Sequence, residues 1–318
     1  MYGHEATPAV EARKLTKRYE EVLAVGDLTL SIPRHTIYAL LGPNGAGKTT
    51  TVSLLTTLIR PTSGSARVAG FDVVRQAQDV RRRIGVTFQE VVLDEDLSGR
   101  MVLDIHGRLY GLGGATRQAR LRAVAELVGL EDALDRLVGT YSGGMKRRLE
   151  LARGLMTDPE VLFLDEPTLG LDVQNRVVIW EYIRRLREER GLTVVLTTNY
   201  MEEAEALADV VGIIDQGRLV VEGAPQELVG RLGADVIRLQ VVGSPQAATA
   251  ALEGQPFVQT VSAGEDCVVV GVGSSSQVLA LLIETLVGKG VNISEVSIAR
   301  PTLSDVFLKY TGRRLRDQ

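Results

Sequence analysis

The sequence predicts an α/β core flanked by an antiparallel β subdomain, a helical insert and a small C-terminal α+β unit. Three observations lead there. The apolar run Ile37–Leu41 has the length and residue types of a buried strand, Thr50–Leu58 reads as a helix, and a glycine-rich loop joins the two. A second apolar run, Val161-Leu162-Phe163-Leu164, ends in the adjacent acids Asp165 and Glu166 and reads as a central parallel strand. Between these two strands, residues 97 to 137 show helical periodicity and no strand pattern.

Taken in order, residues 1–9 read as a leader. Val10–Leu15 and Ala24–Ile32 follow as strands of the β subdomain, with Tyr19 between them. An aromatic there either stacks on a purine ring or packs within a small sheet, and the sequence leaves both open. Pro61-Thr62-Ser63-Gly64 marks a turn and Ser65–Gly70 a hairpin. Arg82–Phe88 is an apolar strand closed by Gln89, an amide that either faces a metal or water or is satisfied locally. Met101–Ile105 and Leu121–Leu130 carry apolar residues at helical spacing, giving a helical subdomain over about residues 90–155. It ends in Tyr141-Ser142-Gly143-Gly144-Met145, ahead of a helix Lys146–Met156. Ser142, Gly143 and Gly144 thus stand at a helix N-terminus, a ready-made anion site.

After Gly170-Leu171-Asp172 comes an amphipathic helix, Val173–Arg190, and then the apolar strand Thr193–Thr197, which runs into Thr198-Asn199-Tyr200. Glu202-Glu203-Ala204-Glu205 open a helix with acids suited to its positive end. Val210–Ile214 and Arg218–Glu222 form a hairpin through Asp215-Gln216-Gly217, followed by a helix Gln226–Arg231. The core therefore covers residues 10–230. Residues 235–318 follow the order β-α-β-β-α-β, a ferredoxin-like accessory domain without paired acids, metal-ligand spacing or a glycine-rich loop.

The loop Gly42-Pro43-Asn44-Gly45-Ala46-Gly47-Lys48-Thr49 fits G-x-x-x-x-G-K-[ST] in the strand–loop–helix setting that pattern requires, the mark of a P-loop NTPase core. Glycines let the backbone close around phosphates, because no Cβ blocks the approach or forbids positive φ. Gly42, Pro43, Asn44, Gly45, Ala46, Gly47, Lys48, Thr49 and Thr50 are the candidate contacts to a nucleoside triphosphate. Lys48 is placed to reach the β- and γ-phosphates, and the Thr49 hydroxyl to ligate Mg²⁺. Asp165 would hold the same ion directly or through water, and Glu166 would act as general base towards an attacking water.

Composition narrows the partners. With 318 residues, a net charge of −4 and a pI near 5.6, the chain is a poor candidate for nucleic acid. The triplets Arg81-Arg82-Arg83 and Lys146-Arg147-Arg148 read as solvated faces. Cys267 is the single cysteine, which excludes an intrachain disulfide or a Cys-based metal cluster and suits a reducing cytoplasm. No uninterrupted apolar stretch approaches the ~18 residues a membrane span needs.

Together these segments resemble the ATP-binding subunits of ABC transporters over about residues 10–225. Gly42–Thr49 is similar to their Walker A loop, Val161–Glu166 to Walker B with its catalytic glutamate, and Tyr141–Met145 to the family signature, written YSGGM instead of LSGGQ. Gln89 falls at the Q-loop glutamine, a metal and catalytic position, Gly170–Asp172 at the D-loop and Tyr19 at the adenine-stacking aromatic. Arg300–Leu308 and Thr311-Gly312-Arg313 resemble the tail of drug- and antibiotic-exporting members of the daunorubicin-resistance type. The resemblance implies ATP and Mg²⁺ as cofactors and a head-to-tail dimer in which the Ser142 loop of one copy covers the γ-phosphate on Lys48 of the other. It also implies a separate integral membrane permease docked on the helical insert, a small lipophilic molecule exported through it, and a place at the cytoplasmic face of the membrane. One position departs: where the family has a switch histidine, this chain has Asn199, while His4, His35 and His106 lie elsewhere. An amide can donate a hydrogen bond to phosphate but cannot carry a proton charge, so slow hydrolysis is expected. The rival readings are a non-catalytic regulatory ATP binder, a soluble ABC protein of translation or DNA maintenance, and a kinase or GTPase. The last leaves the Tyr141–Met145 motif unexplained.

Overall fold

The structure, a computed structural model, describes residues 7–233, 235–264 and 267–312. The chain opens with β1 (Val10–Tyr19) and β2 (Val22–Ile32), an antiparallel pair whose register closes at Tyr19 opposite Val22. β3 (Ile37–Leu41) is buried along its whole length and feeds through the glycine loop into α1 (Lys48–Leu55). β4 (Ser63–Val68) and β5 (Phe71–Asp72) turn at Ala69 and Gly70, with φ of 51° and 86°. α2 (Ala77–Arg81) and β6 (Ile84–Thr87) lead into the helical insert, α3 (Gly99–Leu109), α4 (Gly114–Leu127) and α5 (Gly143–Leu155). Then come β7 (Val161–Asp165), α6 (Val173–Arg190), β8 (Thr193–Thr198), α7 (Met201–Leu207), the hairpin β9 (Val210–Asp215) and β10 (Arg218–Gly223), and α8 (Pro225–Gly230). The last segment holds β11 (Asp235–Val242), α9 (Pro245–Leu252), β12 (Thr260–Ala263), β13 (Cys267–Val272), α10 (Ser275–Gly288), β14 (Asn292–Ala299) and α11 (Leu303–Thr311).

Among the described residues the strands form three sheets: β2-β1-β4-β5, β10-β9-β3-β8-β7-β6 and β12-β13-β11-β14. In the second, β9, β3, β8, β7 and β6 are parallel and β10 is antiparallel at the edge. Both faces of that sheet are covered, which is why its strands read as continuous apolar runs. Ala39, Leu162, Leu164 and Leu196 face one apolar cluster, with the helical insert and α6, while Tyr38, Leu40, Phe163 and Val195 face another, with α1 and the β1–β2 sheet. The topology sets β3 and β7 on either side of β8, so the ends of all three open at one edge of the sheet, where ligands bind in open α/β folds. The third sheet has the strand order of a ferredoxin-like fold and packs α9 and α10 on one face, around Ile237, Leu239, Val268 and Val270.

Several expectations need correction. Ala9 is buried and its N–H donates to the Ile32 carbonyl at 2.8 Å, so the expected leader does not reach residue 9; Met1–Ala6 lie outside the described residues. α5 starts at Gly143, three residues before Lys146, because the Ser142 hydroxyl accepts from the Met145 N–H at 3.3 Å and caps the helix there. The glycines therefore form its first turn, and a Cβ on Gly144 would come within 2.5 Å of Asn175 Oδ1. Ser63 and Gly64 belong to β4, not to a turn ahead of the hairpin. The segment after Arg300, seen in sequence only as a family-like tail, is the helix α11, capped by reciprocal bonds between Thr302 and Asp305; Arg313 of that tail lies outside the described residues. α11 buries Leu303, Val306, Phe307 and Leu308 in the same apolar cluster as Leu207 and Leu228, and the Leu303 N–H donates to Glu205 Oε1 at 2.8 Å. Asp305 also accepts three bonds from Arg238 of β11, one from Nε and two from Nη2. The expected division near residue 230 thus lies across a shared core.

Candidate functional site

A cavity of about 380 Å³ opens at the end of β3, lined by Asn44, Gly45, Gly47, Lys48, Thr49, Thr50, Gln89 and Glu166, with Val22, Leu23 and Ala24 of β2 as its other wall. Its shape follows from the loop. Gly47 has φ of +102°, and a Cβ there would lie 2.4 Å from the Ala24 carbonyl oxygen, so no L side chain fits. The loop backbone then passes directly into α1, whose first N–H groups have no intrahelical partner.

Lys48 is 4% exposed and its Nζ donates to the carbonyls of Gly42 (2.8 Å) and Pro43 (3.2 Å). It also lies 3.1 Å from Glu166 Oε1, an ion pair with both side chains almost fully buried. Glu166 sits one residue beyond β7 with φ of +49°, a left-handed backbone that is uncommon for a non-glycine residue. Its N–H is held by the Thr197 hydroxyl at 3.0 Å, and the same hydroxyl donates to Asp165 Oδ1. Thr197 therefore aligns both acids from the neighbouring strand, a role that only the β7–β8 pairing reveals.

The remaining sequence candidates lie around this centre at different depths. Gly42, Pro43 and Ala46 shape the loop but do not line the cavity. Asp165 is 1% exposed and stands behind Glu166. Asn199 follows β8, with Oδ1 buried and lacking a hydrogen-bond partner among the described groups. Tyr19 is exposed at the end of β1, opposite the cavity-lining Val22, with Lys17 Nζ 4.9 Å from its ring centre. Ser142 and Gly143 are exposed, and neither they nor Gly144 lines the cavity of their own chain. The hydroxyl, amide and carboxylate oxygens of Thr49, Gln89 and Asp165 are donors of the kind a hard cation takes. Among the described residues no three His, Cys, Asp or Glu side chains converge, so Mg²⁺ here would draw its other ligands from phosphate and water, as it commonly does.

Glu203 stands in the first turn of α7, where the sequence places an acid, but does not face solvent. It is fully buried, and Oε1 accepts from Thr168 Oγ1 (2.7 Å) and Trp180 Nε1 (3.0 Å). Burial raises its carboxyl above the ordinary glutamate value of 4.5, and the Thr198, Thr168 and Trp180 donors pull it back only in part. A folded value above the unfolded one means that Glu203 holds its proton more tightly in the native chain, so its contribution to stability is full at low pH and is lost as pH rises through the raised value. The Tm of Glu203→Gln relative to the parent should therefore rise between pH 4.5 and neutrality; two parallel Tm–pH curves would refute this.

Comparison with known proteins agrees with this geometry. Residues 25–169 match the ABC transporter family. The chain is 44% identical over 316 residues to a daunorubicin resistance ATP-binding protein of Streptomyces coeruleorubidus, covering 96% of each chain. It is 40% identical over 317 residues to a daunorubicin/doxorubicin resistance ATP-binding protein of Streptomyces peucetius, covering 99% of this chain and 96% of that one. Among solved structures, a dimeric ATP-binding cassette in a post-hydrolysis state with ADP and phosphate aligns with a TM-score of 0.61 at 25% identity, covering 68% of this chain and 98% of that one. Identity of this order along nearly the whole length settles the family: the chain belongs to the ATP-binding proteins of ABC transporters.

Proposed function

We propose that two copies of this chain bind and hydrolyse MgATP head to tail at the cytoplasmic face of a membrane and so power export of a small lipophilic drug or antibiotic through a separate permease. The observation that carries this reading is the Lys48–Glu166 pair on the wall of the cavity. A terminal phosphate competes with the Glu166 carboxylate for Lys48, and the carboxylate so released is free to polarise water. Lys48 and the loop N–H groups then stabilise the charge that spreads over the phosphate oxygens. Mg²⁺, when bound by Thr49, Gln89 and Asp165, would add its charge to the same oxygens. Ser142 and the start of α5 do not line this cavity in their own chain, which supports completion of the site by a second copy.

A groove of about 340 Å³ supports the permease partner. It lies between β6 and the helical insert, lined by Phe88, His106, Tyr110 and Arg153 among others, and exposed Val92, Ile105 and Leu109 line a hollow that shares His106 and Arg153 with it. Burial and the nearby Arg153 charge lower His106 to a pKa of about 4, so its imidazole is neutral at physiological pH and the groove's positive charge comes from Arg81 and Arg153. The drug and antibiotic cargo is supported by the names of the relatives. Asn199 favours slow turnover, and it also gives weight to the second reading, a regulatory subunit that binds ATP without hydrolysing it. Mg-ATPase of the parent and of Asn199→His, each with and without the co-purified membrane protein, separates the two. A transporter subunit should be stimulated by its partner and should turn over faster as the histidine variant. No hydrolysis in any of the four preparations would leave the regulatory reading.

A further inference from the structure

Of the triplet Lys146-Arg147-Arg148, the outer two residues behave like surface cations. Lys146 pairs with the exposed Glu95, and Arg148 Nη1 reaches the carbonyls of Val128 and Gly129 within the helical insert. Arg147 is different. It is 5% exposed and sits on the buried face of α5 with Gly144 and Leu151. A guanidinium has five N–H donors, and the structure gives five bonds. Nε donates to the Pro167 carbonyl at 2.7 Å, and Nη2 to those of Asp165 (3.1 Å) and Glu166 (2.8 Å). Nη1 donates to the Phe88 carbonyl at 2.6 Å and to Glu150 Oε2 at 3.0 Å.

We propose that Arg147 is a positioning residue for hydrolysis, tying the chain that enters the Gln89 loop and the turn that carries Glu166 to the signature helix through one rigid guanidinium. The proposal rests on the ATPase reading above. The Glu166 turn needs such a frame, because a left-handed non-glycine residue is retained only where its surroundings fix it. Thr197 fixes its N–H side, and Arg147 fixes the carbonyls of Asp165, Glu166 and Pro167 on the other. Four of the five acceptors are backbone oxygens, so the tie constrains main chain, not one rotamer. The charge is balanced by Glu150, which is 1% exposed and itself accepts from the Val92 N–H at 3.3 Å, so the far end of the Gln89 loop joins the same network. Phe88 lines the groove beside the helical insert while its carbonyl is bound to Arg147. A shift of that strand end therefore reaches the Glu166 carbonyl through a single planar group, in which five bonds share one fixed geometry.

Arg147→Lys tests this, because an ammonium keeps the charge opposite Glu150 but cannot span both loops. Arg148→Lys on the next position of α5 is the control. Amide exchange of the nucleotide-free full-length chain should rise in residues 88–93 and 165–169 together in Arg147→Lys and in neither segment in Arg148→Lys. With MgATP, Arg147→Lys should lose at least tenfold in turnover per titrated nucleotide site while nucleotide affinity stays within threefold, a split that a loss of folded protein, which removes sites and turnover together, does not produce. Unchanged exchange in either segment, or a kcat within twofold of the parent, overturns the proposal. Because exchange is read without hydrolysis, absence of turnover in the parent would count against the ATPase reading and still leave the tie decided. Should Arg147→Lys fail to fold, Glu150→Gln loosens the Nη1 anchor and should raise exchange in both segments to a smaller extent; no change in either would equally overturn it.

Discussion

Replacing Glu166 with glutamine is expected to lower MgATP turnover by a factor on the order of 10²–10⁴, the usual worth of a positioned general base. Glutamine has nearly the same shape and can still accept from Lys48, so the loop should stay intact. Nucleotide affinity is expected to rise, because a neutral amide competes less well than a carboxylate for the lysine that the terminal phosphate needs. Phosphate release and nucleotide titration on one preparation give both numbers. Turnover within threefold of the parent would remove Glu166 from the chemistry, and unchanged or weaker affinity would mean that the ion pair seen here does not oppose binding.

The second large effect is expected at the other end of that pair. Lys48→Met takes away the cation facing a side chain that is only 7% exposed. Leaving a buried charge without its partner costs about 3 kcal/mol or more, read as a lower urea midpoint at an unchanged slope. The carbonyls of Gly42 and Pro43 also lose their donor. Nucleotide affinity should fall roughly a hundredfold, from the loss of one charged contact worth about 3 kcal/mol. The double variant Lys48→Met, Glu166→Gln should regain most of the stability and none of the affinity, because only the stability loss comes from the stranded carboxylate. A double variant no more stable than Lys48→Met would show that the pair contributes little to the fold.

Much of the fold is legible because local signals agree with the tertiary structure. α6 runs from Val173 to Arg190 as its pattern implies, with Asp172 accepting from Asn175 N–H at its start and Gly191 at φ +60° at its end. The β9–β10 hairpin turns at Gln216 and Gly217, both with positive φ. The cavity likewise gathers Gly45, Gly47, Lys48 and Thr49 because motif spacing encodes a strand–loop–helix unit, while Gln89 and Glu166 reach it from the ends of β6 and β7. The residues misread are those whose partners are remote. Arg147 is a charged side chain in a polar stretch, and sequence assigns such residues to water; the burial of Glu203, correctly placed at its helix start, was equally invisible. Their burial depends on Phe88, Pro167, Thr168 and Trp180, which chain topology, not local pattern, brings near. One signal was present: Arg147 falls three residues after Gly144 and four before Leu151, on the stripe of α5 that faces inward.

α11 bears on how the chain matures. Leu207, Val221 and Leu228 leave the ribosome well before Leu303, Val306 and Phe307, the residues that pack beside them. A nascent nucleotide-binding unit therefore carries an uncovered greasy seam until α11 has been made, so its native packing waits on a segment synthesised about eighty residues later.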